Sequence, residues 1–221
     1  MSLALTTTAR QEAMLEFSSL AEEDHCPLGV YCYPSSTFEW ACVIFVHRGY
    51  YAGAVLHFRL QIPPSYPAAA PAIIFDSQLF HPLVDPVSGR MRLDSRFPTW
   101  RPRQDGVSKV LHFVKASMKR RTLDGLREAV CANQEAYRLY RTQPTLFAKL
   151  ASQSASLSFS SSALYTPPTP RSEASEPTPI RFRRLETGEE ARLKERVREE
   201  GERKVVRRPK GSTGSAASEG Y

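Results

Sequence analysis

The apolar residues of this chain run out at about Leu150. Up to that point aromatic and branched side chains recur throughout, whereas residues 151–221 are mostly polar and charged. Any core must therefore be assembled from residues 1–150, and a folded part of about 140 residues buries enough surface to stand without disulfides or metal. The expected organisation is one domain at 1–150 and a disordered tail at 151–221. Residues 152–162 are serine-rich, and Thr166-Pro167-Pro168-Thr169-Pro170 and Glu176-Pro177-Thr178-Pro179 follow. Such segments cannot bury enough apolar surface to offset their chain entropy. Residues 186–205 carry helix formers with Glu-to-Lys/Arg pairs three or four apart, which predicts an isolated, partly formed helix.

Periodicity within 1–150 gives an α+β plan. Leu15, Phe17 and Leu20, with Ala9 and Ala13, predict an amphipathic helix over about 7–23, ended by Pro27 and Gly29. Four β-rich runs follow at 30–33, 39–47, 54–62 and 72–75, each bounded by Pro, Gly or Ser, as a four-stranded antiparallel meander would read. Residues 76–106 have no sustained period and predict an irregular surface crossing, a kind of segment that is usually functional. Helical period returns at 107–119 (Val107, Val110, Leu111, Val114, Met118) and again over about 124–150. Lys119-Arg120-Arg121 is expected at a helix end, where the dipole favours cations.

The formal net charge of +7 divides evenly. Residues 1–150 hold 17 basic and 13 acidic residues and the tail holds 13 and 10. That balance describes a solvated surface with no basic stripe, so no nucleic-acid partner is expected. Cys26, Cys32, Cys42 and Cys131 match no zinc spacing, and no signal peptide precedes them, so reduced thiols in a cytoplasmic setting, with no metal and no cofactor, are expected. The longest apolar run, residues 41–46, is too short to cross a bilayer.

The motifs lie around the irregular crossing. In order they read Tyr51-Ala52-Gly53-Ala54-Val55, Ile62-Pro63-Pro64-Ser65-Tyr66-Pro67, Phe80-His81-Pro82-Leu83, Gly89-Arg90-Met91-Arg92-Leu93-Asp94 and Trp100-Arg101-Pro102. This series resembles the ubiquitin-conjugating fold over about residues 10–148: the Tyr-x-Gly-Gly-Val hairpin, the Phe-Pro-x-x-Tyr-Pro turn, the His-Pro-Asn turn, the Gly-x-x-Cys-Leu-Asp phrase and the Trp-x-Pro loop. Pro63, Pro64, Tyr66, Pro67 and Trp100 are fold-signature positions. The prolines fix the chain where strands turn, Tyr66 anchors packing with a polar end, and Trp100 lids the core.

The resemblance places Arg92 where the family has its catalytic Cys and Leu83 where it has an Asn. A thioester relay needs a thiolate, and a guanidinium is a permanent cation. The Asn amide would donate to the oxyanion, and leucine has no such donor. His81, Pro82, Leu83 and Arg92 therefore mark a degenerate active site, and the domain resembles the ubiquitin-conjugating enzyme variants, which lack conjugating activity. Within them the ten residues from Phe80 to Gly89, with Leu28-Gly29-Val30-Tyr31 and Trp40, are most similar to the fused-toes, or AKT-interacting protein, family. That likeness implies a scaffold subunit in a complex with a Hook-type coiled-coil protein and an FHIP-type subunit, linking endosomal or vesicular cargo to cytoplasmic dynein.

Three other readings remain open at this level. An enzyme could use Cys42, read as mid-strand, or Cys131, read as helical, although buried inert thiols are the simpler expectation. A variant of this fold could bind ubiquitin or partner an active conjugating enzyme. Phosphorylation at Thr166, Thr169 or Thr178, each before a proline, would add about −1.5 to −2 charges apiece.

Overall fold

A computed structural model of the chain describes residues 2–165 and 180–207, with side chains described over 7–165 and 180–199. They fall into two compact units, Met1–Phe182 and Arg183–Tyr221. Thr166, Thr169 and Thr178 lie outside the described residues.

The first unit opens with helix α1 (Ser2–Ser19), which starts five residues earlier than its apolar period predicts. Five strands follow: β1 (Val30–Pro34), β2 (Glu39–Phe45), β3 (Val55–Gln61), β4 (Ala72–Phe75) and β5 (Arg90–Met91). They form one antiparallel sheet in the order β1-β2-β3-β4-β5. The expected four-strand meander thus gains a fifth strand, only two residues long and too short to carry a period. Period-2 alternation sends Trp40, Cys42, Ile44, Leu56, Phe58, Leu60, Ile73 and Phe75 into the core. Gly53 closes the β2–β3 connection at φ +85°, a backbone state that favours glycine, and a Cβ there would stand 3.7 Å from the Phe159 ring.

Helix α2 (Val107–Ser117) buries the predicted stripe of Val107, Val110, Leu111 and Val114, and Met118 just beyond its end. Its N-cap, Gly106, has no side chain to cap with, so Glu16 of α1 does the work. One Glu16 oxygen accepts the Val107 amide at 3.1 Å and the other accepts the Tyr66 hydroxyl. A Cβ on Gly106 would lie 2.7 Å from that carboxylate, which is why a residue without one serves here. The signature residues close the same corner. Trp100 Nε1 donates to the Pro67 carbonyl at 2.8 Å, Tyr66 is buried, and the Tyr66–Pro67 peptide is cis. Pro63 is half-buried and its carbonyl accepts the Tyr66 amide, while Pro64 faces solvent.

The C-terminal part departs from expectation in three places. Lys119-Arg120-Arg121 does not end a helix: α2 stops at Ser117, and Lys119 caps the start of the short α3 (Arg120–Asp124). The helical stretch expected over about 124–150 is interrupted by a 3-10 turn at Glu128–Val130 before α4 (Gln134–Thr142). Asn133 causes that restart, because its side chain accepts the Ala136 amide as an N-cap. Finally, α5 (Pro144–Ser158) runs past the expected domain end at 150, and the short α6 (Ser161–Tyr165) follows. Residues 152–162 are therefore largely helical. Their serines fit because Ser154 and Ser158 donate their hydroxyls back to Ala151 and Ala155 carbonyls, leaving small side chains that pack closely.

The second unit contains α7 (Glu189–Arg207), on the stretch expected to be a charged helix. Glu189 takes a bidentate pair from Arg183 and accepts the Glu186 amide, and Lys194–Glu190 and Arg198–Glu195 pairs support its solvated face.

Candidate functional site

The crossing between β4 and α2 holds His81, Pro82, Leu83 and Arg92, the four positions expected to mark a degenerate site, and backbone polar groups dictate its path. Tyr51, fully buried, donates its hydroxyl to the Phe80 carbonyl at 2.9 Å. The chain then turns at His81, whose ring lies 5.5 Å from that of Tyr51. The Leu83 amide donates to His81 Nδ1 at 3.0 Å, so the proton of the neutral ring sits on Nε2, which donates to the Ser117 carbonyl at 3.1 Å. Both nitrogens are satisfied only while the ring is neutral. Burial accordingly holds its pKa down at about 4, partly opposed by the Ser117 carbonyl.

Pro82 offers its carbonyl to two amides, Ala132 and Asn133, both at 2.9 Å. This joins the turn to the segment that starts α4. A hairpin follows, closed by a bridge between Val84 and Met91. Asp85 organises its tip by accepting from the Val87 and Ser88 amides and the Ser88 hydroxyl. The returning chain delivers Arg92, whose amide donates to the Leu83 carbonyl at 2.8 Å. His81, Pro82, Leu83 and Arg92 are thus brought together as the motifs imply.

Their side chains differ in surroundings. Leu83 is 0% exposed and belongs to the main core. Arg92 is about half exposed, and its guanidinium donates to the carbonyls of Ala129 at 3.1 Å and Cys131 at 3.5 Å and pairs with Asp94 at 3.3 Å. It caps the carbonyls of the 3-10 turn. A permanent cation can hold those oxygens but has no lone pair to attack a carbonyl carbon. The Leu83 amide, the donor closest along the chain, is already committed to His81.

Cys131 is the residue that sequence reasoning misplaced. It lies after the 3-10 turn, outside any helix, and its carbonyl touches Arg92. Nothing local signals this neighbour, which stands 39 positions away. Its thiol is buried, donates to the Arg127 carbonyl at 3.3 Å, and is pushed up to about 11 by burial, then by the Glu128 charge. Such a thiol stays protonated at neutral pH and is a poor nucleophile. Cys42 is mid-strand and buried, with its sulfur 3.1 Å from that of Cys32. Among the described residues, no three His, Cys, Asp or Glu side chains converge as a metal site, and no helix is long and apolar enough to cross a membrane.

Comparison with known proteins agrees with this layout. The family model described as ubiquitin-conjugating enzyme matches residues 11–155. The chain belongs to the ubiquitin-conjugating enzyme family. The chain is 31% identical over 176 residues to protein crossbronx of Drosophila virilis, a match covering 76% of this chain and 70% of crossbronx. It is 37% identical to AKT-interacting protein of Danio rerio over 142 residues and of Homo sapiens over 141. Each of those matches covers 60% of this chain and 46% of the relative, so the chain spans under half the length of the AKT-interacting proteins. The fused-toes likeness expected from Phe80 to Gly89 is borne out by these relatives, and so is the ubiquitin-conjugating fold.

Proposed function

We propose that this ubiquitin-conjugating domain is a non-catalytic scaffold. In this reading it is a cytoplasmic subunit that joins a Hook-type coiled-coil protein and an FHIP-type subunit, in an adaptor linking endosomal or vesicular cargo to cytoplasmic dynein. The observation that carries the non-catalytic half is Arg92, which takes the sequence position of the family's catalytic Cys and commits its guanidinium to the Ala129 and Cys131 carbonyls. The partner half rests on the relationship to the AKT-interacting proteins.

The test is affinity purification of the tagged full chain from its own cells, with partners identified by mass spectrometry. Recovery of a Hook-type coiled coil with dynein subunits is the expected result. Recovery of ubiquitin, an active conjugating enzyme or a ligase in their place would move the chain into the ubiquitin pathway and overturn the transport reading.

The catalytic half has its own test. Arg92→Cys, incubated with activating enzyme, ATP and ubiquitin, is expected to form no reducible thioester. The Ala129 and Cys131 carbonyls would lose the guanidinium that holds them, and Leu83 would still present no oxyanion donor. A reducible ubiquitin adduct on that single variant would show that the site needs only its sulfur back.

A further inference from the structure

One face of the sheet packs on the helices, so the opposite face of such an antiparallel sheet is expected to be polar and wet. It is neither. The outward row Tyr31, Val43 and His57 lies in direct register across β1, β2 and β3, and Val43 is 2% exposed while His57 is 7% exposed. Phe45, two residues beyond Val43 on the same face, stacks edge-on against Tyr31 at 5.9 Å. Further along, Arg59 and Asp76 form a largely buried ion pair at 2.9 Å.

A short piece of chain far away in sequence covers this patch. The Phe182 ring sits edge-on to His57 at 5.5 Å and to Phe45 at 6.1 Å. Ile180 and Phe182 are half-buried and Arg181 between them is exposed, the alternation of an extended segment laid on a surface. Fifteen residue steps separate Tyr165, the end of α6, from Ile180. Fully extended they span roughly 50 Å, enough for the segment to leave the face and return without unfolding the domain.

We propose that the outer face of β1–β3 is a docking surface for an extended segment of the type apolar–basic–aromatic, and that Ile180-Arg181-Phe182 of this chain is its resident intramolecular ligand. The aromatic pocket of Phe45 and His57 reads Phe182, and Arg181 points away to water. A partner with the same chemistry reaches the face only by displacing this strap. Held on the same chain, the strap competes at an effective concentration in the millimolar range. The inference does not depend on the transport reading.

The experiment is fluorescence anisotropy with a fluorescein-labelled synthetic peptide of residues 177–185, titrated with full-length chain. Phe182→Ala full-length chain is expected to bind it at least roughly tenfold more tightly than the unaltered chain, whose own strap occupies the face. Adding Phe45→Ala to that variant, with folding checked by circular dichroism, is expected to lose the gain, as is a peptide with alanine at the Phe182 position. Equal affinity for the unaltered and Phe182→Ala chains, binding by neither, or undiminished binding after Phe45→Ala would each overturn the proposal. An unaltered chain that sediments as a dimer and becomes monomeric on Phe182→Ala would overturn the intramolecular arrangement, because the strap would then be exchanged between copies.

Discussion

Replacing Phe147 by alanine is expected to destabilise the domain by about 3–5 kcal/mol, the usual range for emptying a buried aromatic site. Phe147 is 0% exposed and lies at the centre of an aromatic cluster, with Tyr140 at 5.0 Å, Tyr50 at 5.3 Å and Phe80 at 5.9 Å. These partners come from α4, the β2–β3 connection and the residue before His81. The cavity would therefore open where three parts of the fold meet, and none can collapse into it without moving the others. For a chain of this length each kcal/mol lowers the melting temperature by roughly 2–4 °C, so a fall of roughly 6–20 °C is expected. Leu146→Ala is the control, since Leu146 is on the same helix but 40% exposed. Thermal unfolding of both variants decides the matter. Equal small shifts would mean that α5 contributes little to the core.

A second large effect is expected from pH. His81 has a folded-state pKa of about 4, below the ordinary value of 6.5, because burial disfavours its charged form. Between those values the unfolded chain takes up a proton that the native chain refuses. Stability is therefore complete above about pH 6.5 and falls as pH drops towards 4, by up to about 1.4 kcal/mol per unit and about 3 kcal/mol in all. His57, whose pKa is also lowered by burial, acts in the same direction. His81→Gln is expected to be less stable at neutral pH yet to lose much of this slope. Urea midpoints measured from about pH 7 down to about pH 4.5 test it. Parallel profiles for the two proteins would show that His81 does not set the acid limit.

How much could be read from residues alone depended on how local each cause is. The prolines at 63, 64 and 67, Tyr66, Trp100 and the His81–Pro82 turn act on adjacent backbone, and the structure places them at the corners and crossing they imply. Gly53 was legible for the same reason. β5 was not, because two residues carry no alternation and its existence depends on pairing with Ile73 and Ile74. Residues 151–158 read as linker because serine-rich composition usually is. Here hydroxyls bonded to their own helix make serine a small core residue, beside Ala151 and Ala155. Cys131 reaches Arg92 only through tertiary folding. Phe182 gave a faint signal, an isolated aromatic in a polar stretch, that composition averaged away.

The last turn of α5 also sets a clock for synthesis. The Ser158 hydroxyl accepts the amide of Val55, the first residue of β3, at 3.0 Å across 103 positions, and Phe159 lies against Gly53 next to it. The β1–β4 hairpins can pair as soon as they leave the ribosome, but this end of the sheet stays unfinished until α5 emerges. At about 5–20 residues per second that is a delay of roughly 5–20 s. Until then the Val55 amide lacks its Ser158 acceptor, and Tyr50 and Phe80 lack the Phe147 ring they pack on.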